Sequence, residues 1–159
     1  MKTPPPEGRE QPSCFDRAVG LLSRRAHFEA ELEAKLRARR YPGGEIAQTL
    51  AKLRSLGYLD DPATAERWLA GERRRRAQGR RRLRHRLERK GVDPEVVEAA
   101  LEGFDDATEI EEARRAADAW SARHSPDPER LARHLDSRGF AKRAILVVLE
   151  ARPDVCESS

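Results

Sequence analysis

The stretch LRHRLERKGVDPEVVEAAL, residues 83–101, decides the fold of this chain. Its apolar anchors Leu83, Leu87, Val92, Val97 and Leu101 advance by four, five, five and four residues. Steps of four place side chains on one face of a helix, and the two fives span a turn, so the stretch reads as two short helices facing a common core. The same steps recur in Leu32, Leu36, Tyr41, Ile46 and Leu50 and again in Leu131, Leu135, Phe140, Ile145 and Leu149. The copies start 51 and 48 residues apart, within the period range of helical repeats. The chain is expected to be all-α and built of repeats that together offer an extended binding surface.

Working outward, each pair acquires a preceding helix. Ser13 is placed to cap a first helix over 14–25, with Phe15, Ala18, Val19 and Leu22 on one side. Helices over 29–39 and 45–55 follow, separated by Tyr41-Pro42-Gly43-Gly44 and stopped near Gly57. Asp60-Asp61-Pro62 starts the second set, which has helices with Ala65, Trp68 and Leu69, then over 80–89, then from Asp93-Pro94 with Val96, Val97, Ala100 and Leu101 inward. The third set runs over 106–120, with Ile110, Ala113, Ala117 and Trp120 at helical spacing, then 131–137 and 141–150. The expected organisation is an arm over 1–12, three-helix repeats over 13–58, 59–104 and 105–152, and a tail over 153–159, both ends disordered.

Only 38% of the 159 residues are hydrophobic and an equal share is charged, so each repeat has a thin core and depends on its neighbours. Cys14 and Cys156 lie near opposite ends, which supports neither a disulfide framework nor a metal spacing. The Pro-rich start lacks the apolar core of a signal peptide or a membrane span, so a cytoplasmic protein is expected.

Charge is the strongest functional signal. Arg73 to Lys90 holds eleven basic residues against Glu88, and its +10 against a whole-chain +4 leaves −6 for the rest. Ten carboxylates follow between Asp93 and Asp118, opposed there by Arg114 and Arg115. With Leu83 and Leu87 inward, Arg81, Arg82, His85 and Arg89 project away from the core, and Arg73, Arg74, Arg75 and Arg76 extend the patch. Guanidinium groups offer bidentate geometry to phosphates or carboxylates, whereas pairing with the acidic stretch of the same repeat would make the patch an ordinary solvated surface. Binding of nucleic acid by such a patch would be sequence-independent and salt-sensitive. A base-reading helix–turn–helix fits poorly, because the same helix pair recurs three times with very different surface charge.

Catalysis finds no support. His27, His85, His124 and His134 fall in separate elements without spaced ligand partners, and no phosphate-binding glycine loop or nucleophile elbow occurs. Tyr41, Val92, Phe140 and Tyr58 are expected to pack. Trp68 and Trp120 are expected in the core, with stacking on an unpaired base as the alternative. Asp60 and Asp61 are expected to be caps rather than metal ligands.

Leu56-Gly57-Tyr58-Leu59-Asp60-Asp61, Arg82-Leu83-Arg84 leading through Leu87 to Lys90-Gly91-Val92-Asp93-Pro94-Glu95, and Arg138-Gly139-Phe140 resemble the RecX family. These are the bacterial regulatory proteins that modulate the RecA recombinase. The resemblance spans roughly residues 15–150. It implies three tandem three-helix modules in an elongated curved array. It also implies a non-enzymatic negative modulator that binds the RecA filament on single-stranded DNA and lowers its assembly, ATPase, strand-exchange and coprotease activities. No cofactor or metal is implied. Weaker binding to double-stranded DNA and a monomeric state are expected. The chain departs from the family pattern at Arg40, where a glycine is common and a different helix closure is therefore expected, and at Phe28, where a small hydroxyl residue is common and which cannot cap. The alternatives are a sequence-independent nucleic-acid-binding helical protein and, third, a protein adaptor that does not touch nucleic acid.

Overall fold

A computed structural model describes residues 11–152, which form nine α-helices and, among the described residues, no strand. The first ten residues of the expected arm, and the expected tail with Cys156, lie outside the described residues. The helices are α1 (Cys14–Leu22), α2 (Glu29–Ala38), α3 (Gly43–Ser55), α4 (Asp61–Arg75), α5 (Arg80–Glu88), α6 (Pro94–Leu101), α7 (Asp106–Ser121), α8 (Pro128–Ser137) and α9 (Lys142–Glu150). The chain divides into two compact units between Leu59 and Asp60. The first contains α1–α3 and the second contains both remaining helix triplets.

The repeated apolar template is the core. All fifteen of its positions are buried except Tyr41 and Leu149, which are half-buried. In the first unit Leu32, Leu36, Ile46 and Leu50 pack with Cys14, Ala18, Leu53 and Leu59. In the second, Leu131, Leu135, Phe140 and Ile145 pack with Ala113, Ala117, Trp120 and Val148, and Ala77 reaches this cluster from the α4–α5 connection.

Helix starts follow the cap chemistry of the sequence. Ser13, Asp60, Asp93, Asp105 and Asp127 each accept a hydrogen bond from a backbone N–H of the first turn. Phe28 sits at the N-cap of α2 with no side-chain cap bond and is buried instead. Two other starts, at Gly79 before α5 and Ala141 before α9, also lack a side-chain cap of their own. The buried carboxylate of Glu109 on α7 serves both: Oε1 accepts from Arg80 N at 3.1 Å and from Ala141 N at 3.2 Å. One negative charge thus meets two helix N-termini from different repeats.

Several expectations need correction. The closure after α2 is the same left-handed turn that closes α5 and α8, with Arg40 at φ 64° where Gly91 and Gly139 sit at 75° and 83°. The next residue bonds back five positions in each case, Tyr41 N to Leu36 O, Val92 N to Leu87 O and Phe140 N to Leu135 O. Gly43 and Gly44 belong to the first turn of α3 rather than to a loop, because Pro42 already supplies the extended N-cap and its carbonyl accepts from Ile46 N at 3.0 Å. Helix α1 stops at Leu22, three residues early, and the chain then runs out to bury His27 and Phe28. Tyr58 is 61% exposed because the chain reverses at Gly57 and Leu59 turns inward instead. Trp68 is half-buried, with the cationic groups of Arg86 and Lys90 4.9 and 5.9 Å from its ring centre, whereas Trp120 is buried.

Among the described residues no helix is long and apolar enough to cross a membrane, and no cluster of three or more His, Cys, Asp or Glu could hold a metal ion.

Candidate nucleic-acid interface

Helix α5, RRRLRHRLE, has two apolar residues, and both are fully buried. Burying Leu83 and Leu87 therefore fixes where every arginine on the helix points. Arg86 turns toward α4, where its Nη1 pairs with Glu72 and reaches Gln78 Oε1 at 3.1 Å. Burial works against the Glu72 carboxylate, yet the hydrogen bonds from Arg86 and Gln78 hold its pKa below the usual range. Arg84 turns toward α6 and pairs with Glu98 at 2.8 Å. Arg80 donates to Phe104 O at 3.1 Å. Internal bonds to Glu72, Glu98 and the Phe104 carbonyl thus occupy the flanks of the helix.

The eight sequence-proposed residues fall into two groups. Arg73, Arg81 and Arg82 hold repeats two and three together. Arg73 Nε bonds the buried carboxylate of Glu112 at 3.1 Å. Arg81 donates to Asp136 O at 2.7 Å and to its Oδ1 at 3.0 Å, and Arg82 donates to Ser137 O at 2.9 Å. These carbonyls end α8, so the two guanidinium groups satisfy acceptors that the helix itself leaves open. Arg75 keeps only a 3.6 Å contact with Glu72 and is 79% exposed along its side chain. Arg74, Arg76, His85 and Arg89 are exposed and have no ion pair or side-chain hydrogen bond among the described residues.

The joint that brings these side chains beside repeat three is built on glycine. Gly79 N–H donates to Arg138 O at 3.0 Å, and a Cβ on Gly79 would stand 2.2 Å from the Gly139 carbonyl. Arg138 Nη1 returns a bond to Ala77 O at 3.3 Å. Arg76 therefore lines one groove with Arg123 and Arg138, two cations that the local run at 73–90 did not signal. Their distance in sequence hides them; the joint between repeats two and three, with Gly79 against Gly139, makes them neighbours. Burial, then the positive charges of Arg76 and Arg82, lower the pKa of Arg138.

Two family descriptions match this chain: RecX, first three-helix domain, over residues 14–53, and RecX, second three-helix domain, over residues 60–101. A regulatory protein RecX from Chlorobaculum tepidum is 37% identical over 136 residues, covering 84% of each chain. One from Mycobacterium sp. strain KMS is 33% identical over 153 residues, covering 91% of this chain and 82% of its own. One from Trichlorobacter lovleyi is 33% identical over 151 residues, covering 90% and 98%. A crystal structure of RecX from Lactobacillus salivarius superposes with a TM-score of 0.79 at 23% identity, covering 87% of this chain and 93% of that one, which establishes a shared fold.

Proposed function

The chain belongs to the RecX family, and from that membership we propose that it is a negative modulator of the RecA recombinase, acting by binding rather than by catalysis. On this reading it binds the RecA filament on single-stranded DNA and lowers its growth, ATPase, strand-exchange and coprotease activities, as a cytoplasmic monomer without a cofactor.

The observation that carries the reading is the group of uncompensated cations on the second repeat. Arg74, Arg76 and Arg89 lie exposed and unpaired, with the exposed His85 on the helix that Arg89 closes, in a segment whose arginines and lysine, less Glu88, give +10. Such cations meet DNA phosphates or acidic filament surfaces without first breaking an internal bond. Arg75 joins them after releasing a weak surface contact. Arg73, Arg81 and Arg82 serve the same face indirectly, by fixing it against the third repeat.

The test is the single-stranded-DNA-dependent ATPase of the cognate RecA, titrated with this protein well below one per recombinase subunit. Loss of ATPase at such ratios is expected. No effect at equimolar protein, with binding to naked DNA intact, would overturn the modulator reading in favour of a sequence-independent nucleic-acid-binding protein.

A further inference from the structure

The groove that Arg76 shares with the third repeat has a volume of about 400 Å³, and no carboxylate lines it. Arg76 and Arg123 are exposed in it and unpaired among the described residues, while the inner wall carries Arg138. Burial and the nearby charges of Arg76 and Arg82 depress Arg138, so the cluster is repulsive as it stands and an anion would relieve it.

Beside the arginines stands an aromatic wall. Trp120 is buried under His124, whose ring lies parallel to it with centroids 4.5 Å apart, and His134 tilts against the same indole at 6.3 Å. His124 Nδ1 bonds Trp120 O at 2.8 Å, which fixes the ring in this plane while the residue stays exposed. Beyond the rings lies a second hollow of about 400 Å³, also lined by Trp120, His124 and His134 and flanked by Arg130 and Arg133. Their carboxylate contacts are loose, 3.7 Å to Asp127 and 3.5 Å to Glu129. A path with arginines on both sides of a flat ring matches a strand, in which phosphates flank each base, better than a single nucleotide.

We infer that this groove binds a segment of single-stranded nucleic acid, its phosphates on Arg76, Arg123 and Arg138 and a base against the open face of His124. The inference rests on the nucleic-acid side of the reading above and assigns it a place. Stacking on His124 perturbs the Trp120 indole beneath it, and the contacts are sequence-tolerant because every base offers a flat face.

The test uses the full chain carrying Trp68→Phe, so that Trp120 supplies the indole emission, titrated with oligothymidylate, ATP and inorganic phosphate in parallel. Oligothymidylate is expected to shift the emission at concentrations where ATP and phosphate do not. Arg76→Glu with Arg123→Glu is expected to weaken oligothymidylate binding about tenfold or more and make its salt dependence shallower by about two phosphate contacts. Arg24→Glu with Arg37→Glu changes the net charge equally on the first unit and is expected to have a much smaller effect. Should Trp68→Phe disturb folding, Trp120→Phe in the native chain must abolish the ligand-dependent emission change. Equal losses from the two charge-reversed pairs, unaltered Trp120 emission, or ATP binding as tightly as the oligomer would each overturn the groove assignment. So would absence of oligothymidylate binding by the native protein. If RecA ATPase inhibition persists through any of these, only the groove falls and the modulator reading stands.

Discussion

Arg40 performs at φ 64° the turn that Gly91 and Gly139 perform in the other two repeats. The left-handed region costs an L-residue about 1–2 kcal/mol, part of which a glycine gives back through unfolded-state entropy. Arg40→Gly is therefore expected to stabilise the first unit by about 1 kcal/mol. Urea unfolding followed by circular dichroism checks this, and a destabilised variant would show that the Arg40 side chain contributes more than its backbone costs. His27 tests the electrostatics of the same unit. It is buried, Nδ1 donates to Arg25 O at 2.9 Å and Nε2 accepts from Lys35 Nζ at 2.7 Å, an arrangement that requires the neutral ring. Burial, with the charges of Arg25 and Lys35, lowers its pKa from 6.5. Because the folded value lies below the unfolded one, the stability it contributes is complete above the unfolded pKa and is lost as pH falls through the folded one. An NMR titration of the His27 ring is expected to give a midpoint below that of a free histidine, with hydrogen-exchange protection of α2 falling as the ring charges. A midpoint at or above the ordinary value would contradict the assignment. Nearby Glu31, opposed by burial but held by Arg25 and Lys35 at about 2, stays ionised throughout that range. At this scale the inward leucines were legible because helical spacing is local. The roles of Arg81 and Arg82 were not, since the carbonyls they satisfy lie 55 residues away.

Helix placement followed from local chemistry: an aspartate or serine at five of the nine starts, and one apolar template in each repeat. What local chemistry could not show is how the second and third triplets join. That joint depends on Gly79 against Gly139 and on Glu109 bonding the starts of both α5 and α9. Gly79→Ala puts a Cβ 2.2 Å from backbone atoms and is expected to destabilise the second unit by at least about 2 kcal/mol. Gly71→Ala, on the adjacent helix where a Cβ meets nothing within 4 Å, is expected to stabilise it by roughly 0.5–1 kcal/mol. Thermal melts of the pair separate crowding at the joint from helix propensity; similar shifts would refute the close approach. Removing the Glu109 carboxylate with Glu109→Ala leaves two partly buried N–H groups without an acceptor and is expected to cost about 2–4 kcal/mol. A loss under about 0.5 kcal/mol would mean that water replaces the carboxylate freely. Either joint variant should also weaken any function that needs Arg76 and Arg123 side by side.

Over the whole molecule, the division of charge between the basic segment 73–90 and an acidic remainder was legible from composition. The sequence did not separate the arginines that are free from those that are already engaged. That distinction needs the positions of Glu72, Glu98, Glu112 and the end of α8, and it changes which variants are informative. Reversing Arg81 or Arg82 would break the joint and confuse folding with binding. Arg74 and Arg89 carry no such role among the described residues. The most direct measurement is therefore inhibition of the RecA ATPase on single-stranded DNA by Arg74→Glu with Arg89→Glu, beside the native protein, at matched helicity and melting temperature. The double variant is expected to need at least about tenfold more protein for half-inhibition, and the gap is expected to narrow as salt rises. Equal inhibition by the two proteins at low salt would contradict the claim that the free cations of the second repeat carry the regulation.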